Sequence, residues 1–216
     1  MSKSSREILA LAPVVPVITI YDIKHALPLA KALVDGGIPV LEVTLRTPQG
    51  LEAIRIMKAE VEGAVVGAGT VLNEKDLDDA IEAGSEFVIT PGLTDNLLRA
   101  GMQSGVSFMP GIATISDMMR CIDAGLDTVK FFPAEASGGA KTLKAFSGPF
   151  PNMRFCPTGG IGLNNIAEYL ALKSVLSVGG SWIAADNLIA AEDWAAITKL
   201  AKEASAKVAS LRASAK

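Results

Sequence analysis

Histidine occurs once in the 216 residues and cysteine twice. One histidine cannot build a His-rich zinc site, no cluster of Asp, Glu and Cys replaces it, and a Ser-His-Asp arrangement is equally poorly supplied. Cys121 and Cys156 are too few for a disulfide framework and lie in no metal-ligand spacing, so they read as small core hydrophobes in a reducing compartment. His25 opens a helical segment and reads as a surface or capping residue. Charge is sparse and balanced, with 20 Lys+Arg against 23 Asp+Glu and a net −3. That balance supplies no basic field for nucleic acid or anionic lipid, and a small ligand is expected instead. Half of the residues are hydrophobic, yet no uninterrupted apolar run reaches the roughly 18–20 residues of a membrane helix. Lys3 and Arg6 precede the apolar stretch Ile8–Ile20 in the manner of a signal peptide, but Pro13 and Pro16 break it and no small-residue cleavage site follows.

What the chain has in quantity is a repeated pattern. Eight short β-branched runs are separated by helical segments: Val14–Ile20, Val40–Leu45, Val65–Thr70, Phe87–Pro91, Ser107–Ile112, Thr128–Pro133, Arg154–Gly160 and Ser174–Trp182. Their starts lie 20 to 26 residues apart, the length of a strand plus the crossover helix that parallel strands require. Between them apolar residues return at three and four positions, as in Leu27, Ala30, Leu33 and Val34 and again in Leu51, Ile54 and Met57. Gly36-Gly37, Gly63, Gly84, Gly105 and Gly125 each follow such a segment, where helix C-caps favour glycine. No linker, charge block or composition shift divides the chain. The pattern predicts one (β/α)8 barrel domain over residues 1–216, with a short helix near Ser4–Leu11 and an Ala-rich helix from about Ala191 to Leu211. A doubly wound open sheet is the alternative. Barrel enzymes place their chemistry at the carboxyl ends of the strands.

Alternation along LEVTLRTP sets Leu41, Val43 and Leu45 on one face and Glu42, Thr44 and Arg46 on the other. If the apolar face meets the helices, an acid and a guanidinium point inward, where they are costly unless they pair or bind a ligand. An internal Glu42–Arg46 ion pair and a ligand site both remain open. In TVKFFPAE, Lys130 and Phe132 share a face. Parallel strands are buried on both sides, so Lys130 must be neutralised, paired or reactive. Burial among apolar groups disfavours the ammonium, and the free amine is the form that attacks a carbonyl to make a Schiff base. A purely structural Lys130–Glu42 salt bridge is the alternative, though a carboxylate beside an imine-forming lysine is also what proton shuttling needs.

The seventh and eighth runs end in glycine pairs, CPTGGIGLNN and LSVGGSW. Barrels commonly bind phosphate at these strands, and Gly159, Gly160, Gly179 and Gly180 would let one approach the backbone, with Ser181 adding a hydroxyl. Tight turns are the bland reading. Neither pair is a Walker loop or GxGxxG, so nothing points to ATP or NAD. Thr70, Pro91 and Thr158 close the third, fourth and seventh runs and ring the same mouth. A phosphosugar isomerase using Glu42 as an enolising base, or a non-catalytic phosphosugar-binding protein, would use the same residues.

Seven segments in order, PVVPVI, LEVTLRT, VGAGTVLN, PGLT, KFFPAE, FCPTGGI and VGGSW, resemble the 2-keto-3-deoxy-6-phosphogluconate aldolase family from about Val14 to Trp182. The resemblance implies a cytoplasmic bacterial class I aldolase of the Entner–Doudoroff pathway, with a (β/α)8 fold, a homotrimer, no cofactor or metal, and frequent activity on 4-hydroxy-2-oxoglutarate. It implies a phosphorylated 2-keto acid substrate and no nucleic-acid or membrane partner. By motif it makes Lys130 the Schiff-base lysine and Glu42 the proton acceptor and donor. Arg46, Thr70 and Thr158 become contacts to the pyruvate portion, Gly159, Gly160, Gly180 and Ser181 contacts to phosphate, and Pro91 and Phe132 the wall.

Overall fold

The computed structural model describes residues 3–214; the outermost residues of the predicted 1–216 domain lie outside it. Among the described residues there are nine parallel strands and ten α-helices. The strands are β1 (Val14–Ile18), β2 (Val40–Thr44), β3 (Val65–Gly69), β4 (Phe87–Ile89), β5 (Ser107–Met109), β6 (Gly111–Ile112), β7 (Thr128–Phe131), β8 (Arg154–Pro157) and β9 (Val178–Gly180). The helices are α1 (Ser5–Leu11), α2 (Ala26–Asp35), α3 (Gly50–Glu60), α4 (Glu74–Glu82), α5 (Asp95–Gln103), α6 (Ile115–Asp123), α7 (Gly139–Ser147), α8 (Ile166–Leu170), α9 (Asp186–Ala190) and α10 (Trp194–Ser214). Among the described residues, no helix is long and apolar enough to cross a membrane.

The strands form two parallel sheets, ordered β5-β4-β3-β2-β1-β9 and β6-β7-β8. The expected fifth strand is therefore divided, and Pro110 divides it. Without an N–H it cannot continue a ladder; the chain before it pairs with β4 and the chain after it with β7. Other expected strands are shorter than their apolar runs. β8 stops at Pro157 because Gly159 and Gly160 turn into left-handed backbone, with φ +106 and +76. β9 begins only at Val178, and single bridges Thr158–Gly179 and Phe155–Val175 join this region to β8.

Period-2 alternation divides the apolar residues into two cores. Leu41, Val43, Val66, Ala68, Val88, Val129 and Phe131 face the helices and form the larger cluster with them. Val15, Val40, Val65, Phe87, Ile89, Met109 and Cys156 form a second cluster on the opposite face, completed by Ile8, Leu9 and Ala12. Helix α1 thus seals the amino end of the strands. It starts where expected because Ser4 and Glu7 make a reciprocal capping box.

The Ala-rich helix begins at Trp194 rather than Ala191. Glu192 takes a left-handed φ of +53, and the Asp193 carboxylate then accepts the N–H of Ala196. Helix α10 packs closely on α2, where a methyl at Gly36 would collide with Ala201. His25 is not a surface residue: it is 9% exposed, stacks in a tilted contact 5.8 Å from Trp194, and its Nε2 lies 3.3 Å from Glu192 Oε1. It occupies the N-cap position of α2 without making a side-chain cap. The turn before α10 covers it, a long-range contact that local periodicity does not encode.

Candidate active site

Strand β2 carries Glu42 on its inner face, between Val17 of β1 and Gly67 of β3. Strand β7 carries Lys130 between Gly111 of β6 and Cys156 of β8. The two side chains meet across the hollow of the sheets. Lys130 Nζ donates to Glu42 Oε1 at 3.2 Å, with Lys130 5% and Glu42 1% exposed. The lysine nitrogen also lies 5.3 Å from the centroid of the Phe132 ring, within cation–π range.

Room for this pair comes from a neighbouring strand. A methyl at Gly69 would collide with the Glu42 carboxylate, and one at Gly67 with the Phe87 ring. The VVGAG run of β3 is thus bare where the inner face is most crowded. Isolated glycines in a strand signal such close approach, and this signal was available in the sequence. Beneath the pair lies Cys156, whose thiol is pushed up to about 12, chiefly by burial and secondly by Glu42. Burial pushes the Cys121 thiol up to about 12 as well. Both behave as core residues.

Arg46 does not pair with Glu42. It stands exposed beyond the end of β2, and its Nε donates to Thr70 Oγ1 at 3.2 Å. Thr70 presents that hydroxyl from a left-handed backbone with φ +58, a conformation that a β-branched residue adopts only at a cost. Thr44, on the same face as Glu42, is fully buried; its hydroxyl donates to Ile18 O at 2.8 Å and pairs with the Thr19 hydroxyl at 3.1 Å.

Arg46, Phe132, Thr158, Gly159, Gly160, Gly180 and Ser181 line one cavity of about 130 Å³, together with Val17, Ile161 and Gly179. Thr158 fits because Gly179 has no side chain; a methyl there would strike its hydroxyl. Among the described residues, the N–H groups of Gly159, Gly160, Ile161 and Ser181 donate to no protein acceptor, which leaves a set of backbone donors for an anion. Pro91 is outside this lining; its backbone packs against Gly111, the strand neighbour of Lys130. No three His, Cys, Asp or Glu side chains converge to hold a metal ion among the described residues.

The arrangement holds an amine and a carboxylate in contact inside the fold, with a guanidinium and N–H groups that lack a protein acceptor in a cavity that shares Phe132 with it. Comparisons with known proteins agree in kind. The family described as KDPG and KHG aldolase matches residues 6–200. The 2-dehydro-3-deoxy-phosphogluconate aldolase of Pseudoalteromonas atlantica is 53% identical over 208 residues, covering 96% of this chain and 97% of that protein. The KHG/KDPG aldolase of Escherichia coli is 54% identical, covering 93% and 94%. Among solved structures, KDPG aldolase from Legionella pneumophila, with pyruvate captured as a covalent carbinolamine, superposes with a TM-score of 0.93 at 44% identity, covering 95% of this chain and 100% of that one.

Proposed function

Because the chain belongs to the KDPG and KHG aldolase family, we propose that its buried Lys130–Glu42 pair runs a Schiff-base aldol cleavage. The protein is a carbon–carbon lyase that cleaves 2-dehydro-3-deoxy-6-phosphogluconate to pyruvate and glyceraldehyde 3-phosphate, and it also acts on 4-hydroxy-2-oxoglutarate. The observation that carries the reading is the 3.2 Å contact between the lysine amine and the acid, close to Phe132, which also lines the cavity of the paired glycines.

In this chemistry Lys130 Nζ adds to the C2 ketone to give a carbinolamine, and loss of water leaves an iminium. Glu42 accepts the proton of the C4 hydroxyl. The C3–C4 bond breaks, its electrons pass into the iminium to form an enamine, and the aldehyde departs. Glu42 returns a proton to C3, and water hydrolyses the imine to release pyruvate and the free lysine. One carboxylate acts as base and then as acid, a role open to a group that touches the nitrogen on which the imine forms. Arg46, Thr70 and Thr158 hold the pyruvate portion, Gly159, Gly160, Gly180 and Ser181 the phosphate, and Phe132 and Pro91 form the wall. The chemistry uses no cofactor and no metal.

The same reading joins the two sheets into one eight-stranded barrel domain: β5 and β6 are one strand interrupted by Pro110, and the Thr158–Gly179 bridge closes the other edge. A homotrimer in the cytoplasm completes the proposal, following the resemblance. The test is reduction with borohydride in saturating pyruvate. A stable adduct on the Lys130 peptide supports the mechanism, and an unmodified protein that still turns over refutes it, leaving an enolising isomerase or epimerase chemistry instead.

A further inference from the structure

The last residue of KFFPAE, Glu135, has no part in the chemistry above, yet three elements converge on it. Its N–H donates to Gly159 O at 3.1 Å, its Cγ lies 2.6 Å from where a methyl on Gly160 would stand, and its carboxylate accepts the hydroxyl of Tyr169. Tyr169 comes from α8 and is 1% exposed. Two more anchors act beside it: Ala134 N–H donates to Thr158 O at 2.8 Å, and Asn165 Nδ2 donates to Gly160 O at 3.0 Å. Asn165 also accepts the N–H of Gly162 through Oδ1 at 2.9 Å.

In a trans peptide unit the carbonyl of one residue and the N–H of the next point in opposite directions. Holding the carbonyls of Thr158, Gly159 and Gly160 therefore turns the N–H groups of Gly159, Gly160 and Ile161 the other way. These are the donors without a protein partner, and their residues line the cavity. We infer that Glu135, Tyr169 and Asn165 are positioning residues that preorganise this turn for the phosphate of the substrate, and so set the preference for a phosphorylated over an unphosphorylated 2-keto acid. The inference rests on the phosphate reading of the cavity. Preorganised donors bind without reordering the loop, which is the source of the gain.

The test compares 2-keto-3-deoxygluconate with and without its 6-phosphate in Tyr169→Phe, Asn165→Ala and Glu135→Gln. Tyr169→Phe keeps the buried ring and Glu135→Gln keeps both stem and acceptor; thermal melts verify folding. Tyr169→Phe and Asn165→Ala are expected to raise KM for the phosphorylated substrate about tenfold. They leave its kcat, the parameters for the unphosphorylated substrate and borohydride trapping of pyruvate within about twofold, and Glu135→Gln, whose neutral acceptor holds the Tyr169 hydroxyl less strongly, shows the same KM change to a smaller extent. A loss shared equally by both substrates, or no change for either, overturns the positioning role. A wild-type protein that treats both substrates alike and is not inhibited by inorganic phosphate overturns the phosphate reading itself, and the inference with it.

Discussion

Lys130 and Glu42 are 88 positions apart and stand on strands of different sheets, yet Lys130 Nζ reaches Glu42 Oε1 at 3.2 Å in a site almost closed to solvent. A buried charge pair of this kind is weak evidence for stability, because desolvation offsets most of its attraction. The imine chemistry proposed for the site gives the pair a use that stability does not.

The sharpest prediction concerns this pair. Lys130→Ala is expected to abolish both cleavage and borohydride-dependent pyruvate labelling. Glu42→Gln, nearly isosteric, should still fold but slow turnover by roughly 10²–10⁴-fold. Steady-state kinetics and intact-protein mass spectrometry read both outcomes; a Glu42→Gln protein with unchanged kcat would remove the carboxylate from the proton path.

Gly69 predicts a loss of activity without any loss of functional groups. A methyl there meets the Glu42 carboxylate, so Gly69→Ala should displace it and reduce kcat by about 10²-fold, the scale of a misplaced catalytic group. Circular dichroism should show the fold retained.

Thr70 should trade stability for binding. Its left-handed φ of +58 costs about 1–3 kcal/mol for a residue of its shape. Asparagine tolerates that conformation better. Thr70→Asn is expected to stabilise the protein by about 1 kcal/mol in urea unfolding while weakening pyruvate binding, since the Arg46 contact loses its hydroxyl partner. Equal stability of the two proteins would show that the strain is absorbed elsewhere.

Both thiols should be inert in the native protein. Burial pushes Cys121 and Cys156 up to about 12, so little thiolate exists at pH 8 and alkylation needs unfolding. The sign for stability follows. The native state holds these protons more tightly than an unfolded chain whose thiols titrate near 8.5, so stability falls as pH rises from about 9 toward 12. Rapid alkylation of either cysteine under native conditions at pH 8 would contradict this.

Much of the site could be read from alternation alone. LEVTLRT places Glu42 opposite Leu41 and Val43, and TVKFF places Lys130 opposite Val129 and Phe131, because a strand has period two whatever surrounds it. The helix ends were equally local: Gly37, Gly63, Gly84, Gly105 and Gly125 all take positive φ. What escaped was set across the fold. Arg46 turns to Thr70 rather than Glu42 because it stands past the strand end, where alternation no longer governs direction. His25 is covered by Glu192 and Trp194, more than 160 residues away. Glu135 is a motif residue whose purpose is visible only when Tyr169 and the Gly159–Gly160 turn are seen together.

The seal formed by α1 makes the hollow a dead end. With Ile8 and Leu9 packed into the amino side, the lysine is approached from the opposite end, where Arg46 and the paired glycines line a cavity. Under the proposed chemistry the fragment tethered to Lys130 sits behind the one held at the threshold, so the phosphorylated aldehyde clears the exit before pyruvate can follow.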